Sequence, residues 1–121
     1  MLIENEKVPK INFMGLFHQT LAGEKQGLKT MEVWLVTLPP NSEIPLNQHY
    51  GEAILITLKG TGRATVDQES LDLFPDTTLV VPPRATRQVV NNSNDNLVVL
   101  IIRSLLRTPG KTVMEILASR P

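Results

Sequence analysis

Between Met31 and Arg103 the chain is cut into short β-rich runs by proline, glycine, asparagine and aspartate. Met31 to Leu38, MEVWLVTL, is stopped by Pro39-Pro40-Asn41, because proline cannot donate to a strand ladder. AILITL is followed by the turn Gly60-Thr61-Gly62, and Arg63 to Val66 forms the return strand, with Asp67 to Ser70 as a hairpin turn. Leu71 to Phe74 ends at Pro75-Asp76, Thr77 to Val81 ends at Pro82-Pro83, and Thr86 to Val90 ends in NNSNDN. Asparagine and aspartate hydrogen-bond their own backbone and tolerate left-handed conformations, so that last segment is a turn. LVVLII then reads as a strand buried on both faces. Short strands at regular spacing predict an all-β sandwich or barrel. The absence of helical patterning between them argues against a parallel βαβ sheet.

Upstream, Ile11 to Thr20 predicts one or two short strands, Ala22 to Lys29 a turn, and the first ten residues a polar arm. Downstream, Thr112 to Glu115 is a capping-box pattern, followed by a short apolar stripe that predicts a C-terminal helix. The expected organisation is one domain: an arm with the first strands over 1–30, a barrel over 31–103 and a tail over 104–121. A chain of 121 residues fits one domain. At this length roughly two-thirds of the extended-chain surface is buried on folding, enough for a core without staples.

Composition narrows the function. There is no cysteine, so neither disulfides nor thiolate metal sites are available. Twelve basic residues balance twelve acidic ones, without the basic excess of a nucleic-acid binder. No apolar stretch reaches the roughly 18 residues of a membrane span, and MLIENEKVPK lacks the features of a signal peptide. The expectation is a soluble cytoplasmic protein with neither nucleic-acid nor membrane partners.

The stretch most suggestive of a site is PLNQHYGEAILITLKGTG, Pro45 to Gly62, which holds one of two histidines, His49. In an extended segment Asn47 and His49 share a face, leading into an apolar strand. Ala53, Leu55 and Thr57 share one face of that strand, and Glu52, Ile54 and Ile56 the other. This pattern describes the rim and wall of a pocket. His18, the other histidine, reads as a surface or core residue. Gly60-Thr61-Gly62 opens no helix and is not a phosphate loop, and no serine lies in a nucleophile-elbow context.

Over Met31 to Arg103 the chain resembles the cupin superfamily, specifically its small single-domain members. The family's first motif is G-x5-H-x-H-x(3,4)-E-x6-G and its second is G-x5-P-x-G-x2-H-x3-N. Here Asn41 stands at the first glycine, Asn47 and His49 at the histidines, Ala53 at the glutamate and Gly60 at the closing glycine. In the second motif Asp76 replaces the first glycine, Pro82 matches, Arg84 replaces the next glycine, Arg87 takes the histidine position and Asn91 matches. The resemblance implies a jelly-roll β-barrel. In the family, the histidines and glutamate hold a divalent metal. Only His49 keeps a ligand residue, and a guanidinium cannot coordinate a cation. No tightly bound metal is therefore expected; the weak candidates for one are His49, Glu52 and Asn47. Asn41 and Asp76 tolerate positive φ, whereas Arg84 suits that conformation less well.

Three functions fit this pattern. The first is a metal-free binding module for a small acidic ligand, with Arg87 as anchor, Asn47, His49 and Asn91 as hydrogen-bonding groups, and Ala53, Leu55 and Thr57 as wall. The second is an enzyme: a metal-dependent oxygenase or isomerase, or a metal-free catalyst with His49 as acid/base. The third is a structural or regulatory dimer with a vestigial pocket. A homodimer is expected, because open sheets leave edges to be covered; its interface is expected to pair the N-terminal arm and Met31 to Leu38 across a two-fold axis and to include Trp34.

Overall fold

The computed structural model describes residues 1–105. Ten strands follow in order: β1 (Ile11–Phe13), β2 (Leu16–Ala22), β3 (Met31–Leu38), β4 (Glu43–Gln48), β5 (Ala53–Lys59), β6 (Gly62–Val66), β7 (Glu69–Leu73), β8 (Thr77–Val81), β9 (Thr86–Val90) and β10 (Leu97–Ser104). They form two antiparallel sheets, one ordered β1-β2-β3-β10-β5-β8 and the other β4-β9-β6-β7, in the jelly-roll arrangement that the cupin resemblance implies. The predicted C-terminal helix lies outside the described residues.

The strand boundaries follow the breakers. β3 occupies the predicted run before the proline pair. The hairpin between β6 and β7 is tighter than the sequence suggested: Val66 pairs with Glu69, and Asp67 turns the chain at φ 53°. Asn41, Asp76 and Arg84, at three glycine positions of the cupin motifs, all adopt left-handed backbone, with φ of 63°, 64° and 66°. The loop at Arg84 therefore keeps the motif's conformation without a glycine. Gly60 is different, since φ is 82° and an added Cβ would collide with the Asn96 carbonyl.

The polar arm is pinned to the barrel. Gln19 is buried and its amide donates to the carbonyls of Asn5 (3.1 Å) and Val8 (2.9 Å). The core lies between the sheets and includes Leu16, Val36, Leu38, Leu55, Leu73, Val89, Leu97 and Val99. Alternation along β3 sends Trp34 inward with Val36, not outward to the expected interface: its ring packs against the core and lines the lumen.

A cavity with two guanidinium groups

The pairing of β3, β10 and β5 arranges inward side chains in cross-strand layers. Leu38 pairs with Leu97 near one end. Near the other, Arg103 pairs with Glu32 on β3 and Ala53 on β5. The first end is filled. Leu38, Leu97, Val99, Thr57 and Asn91 are the largest fully buried side chains. Towards the second end the sheets enclose an open cavity of about 390 Å³. Its wall is mainly apolar, with Leu16, Val36, Leu55, Leu79, Val89 and Ile101 on the lumen side and Ile11, Phe13 and Met14 at the exposed mouth. The polar groups reaching it include His18, Asn47, Gln88, Arg87 and Arg103.

Arg87 reaches the cavity from β9, where Asn47 is its cross-strand neighbour after a bulge between Ile44 and Asn47. Its Nη2 donates two long hydrogen bonds, to the carbonyls of Ala85 (3.3 Å) and His49 (3.4 Å), while its buried Nε has no acceptor. Among the described residues no carboxylate forms an ion pair with it. Burial, and then the charge of Arg103, lower the Arg87 pKa from its ordinary value. The guanidinium nevertheless stays protonated, as arginine does throughout the physiological range.

Arg103 is engaged on several sides. Its Nε lies 3.3 Å from a Glu32 carboxylate oxygen, and its guanidinium carbon sits 4.5 Å from the centre of the Trp34 ring. Its Nη2 approaches the His49 ring nitrogens at 3.1 and 3.3 Å. Arg103 also lines a second, more polar cavity of about 450 Å³, where Glu32 and His49 are found. This arginine thus forms part of the partition between the two cavities. His18 stands edge-on to Trp34, with ring centroids 4.8 Å apart. Burial lowers its pKa against the opposing effect of Glu32.

The sequence-predicted residues divide. Arg87, Asn47, Ala53 and Leu55 line the main cavity. His49 lines the second one instead, with its Nε2 2.9 Å from the Ser104 carbonyl. His49 leaves the face expected to be shared with Asn47 because β4 ends at Gln48, one residue before it. Asn91 is not in the wall: fully buried, it donates to the Leu38 (2.8 Å) and Asp95 (2.7 Å) carbonyls and organises the β9–β10 turn. Thr57 is buried between Thr77 and Val99 in the filled end. Glu52 is exposed and lines neither cavity. Sequence reasoning missed Arg103, Trp34 and His18. The signal available for Arg103 was a charge continuing the apolar LVVLII run.

Cupin metal chemistry does not fit these positions. Asn47, His49, Ala53 and Arg87 offer one imidazole, already held by a carbonyl and an arginine, and place a cation beside it. Among the described residues no group of three or more histidine, cysteine, aspartate or glutamate side chains could hold a metal ion.

A sequence model of the family described as auxin binding protein matches residues 3–116. The chain belongs to the auxin-binding protein family. Auxin-binding protein T85 of Nicotiana tabacum is 33% identical over 93% of this chain and 67% of its own length. Auxin-binding protein 1 of Arabidopsis thaliana is 33% identical over 74% of this chain and 50% of its own length. The chain thus spans about half to two-thirds of these relatives. Among solved structures, a predicted oxalate decarboxylase from Thermotoga maritima superposes with a TM-score of 0.80 at 17% identity, covering 88% of this chain and 100% of its own. An RmlC-like cupin from Shewanella frigidimarina gives 0.75 at 16% identity, covering 86% and 89%. At these identities the likeness establishes the fold: this member of the auxin-binding protein family has the cupin-type jelly roll.

Proposed function

We propose that the main cavity binds a small, largely apolar molecule carrying one acidic group, without a tightly bound metal. The observation that carries this reading is Arg87. A guanidinium in a mostly apolar wall, with two long hydrogen bonds and no carboxylate partner among the described residues, is costly to keep unpaired. Its planar fork suits a carboxylate. The cavity is of the size and character of a small-molecule site. The relatives are named for auxin binding, and an aromatic carboxylic acid of that kind matches an apolar wall with one anionic anchor. Asn47 lies beside Arg87 to orient the ligand.

Calorimetry with 1-naphthaleneacetate and its amide tests the reading. The acid binds the wild-type protein, the amide binds at least about tenfold more weakly, and Arg87→Met removes the difference. Equal binding of acid and amide overturns it. Chelator treatment leaves acid binding unchanged if no metal takes part. A homodimer is also part of this reading: β1 is an edge strand whose residues are all exposed, including apolar Ile11 and Phe13. Sedimentation as a monomer at high micromolar concentration sinks that element alone.

A further inference from the structure

Resting on the anion-binding reading above, we propose that Glu32 sets the charge of the accepted ligand: by holding Arg103 it leaves the cavity with one uncommitted positive charge, and so selects monoanions over dianions. The positions of three side chains lead to this. Arg87 and Arg103 both line the main cavity. Glu32 lines only the second cavity, on the other side of Arg103, and pairs with its Nε at 3.3 Å. Both members of that pair are largely buried, with side chains 23% and 20% exposed for Arg103 and Glu32.

Among the described residues, Arg87 and Arg103 contribute two positive charges to this site and Glu32 one negative. His18 on β2 is biased towards neutrality by burial. Glu24 and Lys25 flank the second cavity with opposite charges that offset each other. Glu52 is exposed outside both walls. A ligand with one carboxylate therefore neutralises the site, whereas one with two leaves an excess negative charge in a poorly solvated cavity. Registry makes this arrangement possible. Arg103 lies beside Ala53 on β5 and Glu32 on β3, so the methyl group at the family's glutamate position places no competing carboxylate next to it.

The matched probes are phenylacetate and phenylmalonate, which share a ring and differ in charge at pH 7.5. Calorimetry on the wild-type protein is expected to favour phenylacetate by about tenfold. Glu32→Gln, nearly isosteric, is expected to shift the ratio at least about tenfold towards phenylmalonate. The double variant Glu32→Gln with Arg103→Gln restores the original net charge and is expected to return the preference to phenylacetate. This separates charge from packing, since both variants disturb the same pair. A wild-type protein that binds neither acid overturns the anion reading and this inference with it. Acid binding with no wild-type preference, or with a ratio that Glu32→Gln leaves unchanged, overturns only the role of Glu32. A Glu32→Gln shift that the double variant does not reverse assigns the effect to packing and also overturns that role.

Discussion

Thr57 and Ala53 lie on the same face of β5, yet they belong to different kinds of structure. Around Thr57 the barrel is filled by Leu38, Leu97 and Val99, and the polar side chain of Asn91 is consumed by backbone carbonyls. Around Ala53 the barrel holds a cavity, two arginines and a carboxylate on the far side of one of them. At the filled end the Asn91 amide is committed to the fold, while the small Thr57 hydroxyl is buried among apolar side chains without a hydrogen-bond partner. At the cavity end, Arg87 keeps hydrogen-bonding capacity that the fold does not use. Asn91 at the filled end keeps the cupin residue, while Ala53 and Arg87 at the cavity end do not.

The contrast can be broken by substitution. Leu38→Ala removes a fully buried side chain and is expected to destabilise the protein by about 3 kcal/mol in urea unfolding. Arg87→Met, at the other end, is expected to change stability by less than about 1 kcal/mol while removing acid binding, because an apolar wall accepts a thioether. Comparable losses from the two substitutions would make Arg87 a structural residue.

A smaller effect concerns pH. Burial depresses the His18 pKa below its ordinary 6.5, so the unfolded chain takes up a proton more readily than the folded one. Stability is thus expected to fall as pH drops through the ordinary imidazole range and on towards the lower folded-state value. It levels off once both states are protonated. Stability measured across that range in wild type and His18→Asn isolates the contribution. An NMR titration placing folded His18 above 6.5 would falsify the burial argument.

The smallest expected effect sharpens the comparison of loops. Arg84 holds φ at 66° where the motif has glycine. Arg84→Gly relieves that strain but adds unfolded-state entropy, so a net gain of about 0.5 kcal/mol is expected. Thermal denaturation would register it, and a clear loss would mean that the arginine side chain stabilises the loop.

Much of the fold was legible because it is written locally. Prolines, glycines and Asn-Asp clusters end strands wherever they occur, and the runs between them became β3, β5, β8 and β9 nearly residue for residue. Left-handed turns at Asn41 and Asp76 followed from side chains that tolerate positive φ. Arg87 could be placed in the lumen because the motif register carries alternation along a single strand.

Where the sequence fell short, the information was not local. His49 left the predicted face because β4 stops at Gln48, and strand ends depend on partners. Asn91 faced the β9–β10 turn because the Leu38 carbonyl, 53 residues away in the chain, needed a donor. Trp34, Arg103 and Glu32 meet through the registry of β3 with β10. The sequence by itself determined a jelly roll with a cation where the family places a histidine. Only the tertiary structure decided that a second cation shares the cavity and that a carboxylate stands behind it, because cross-strand pairing joins residues that no local pattern links.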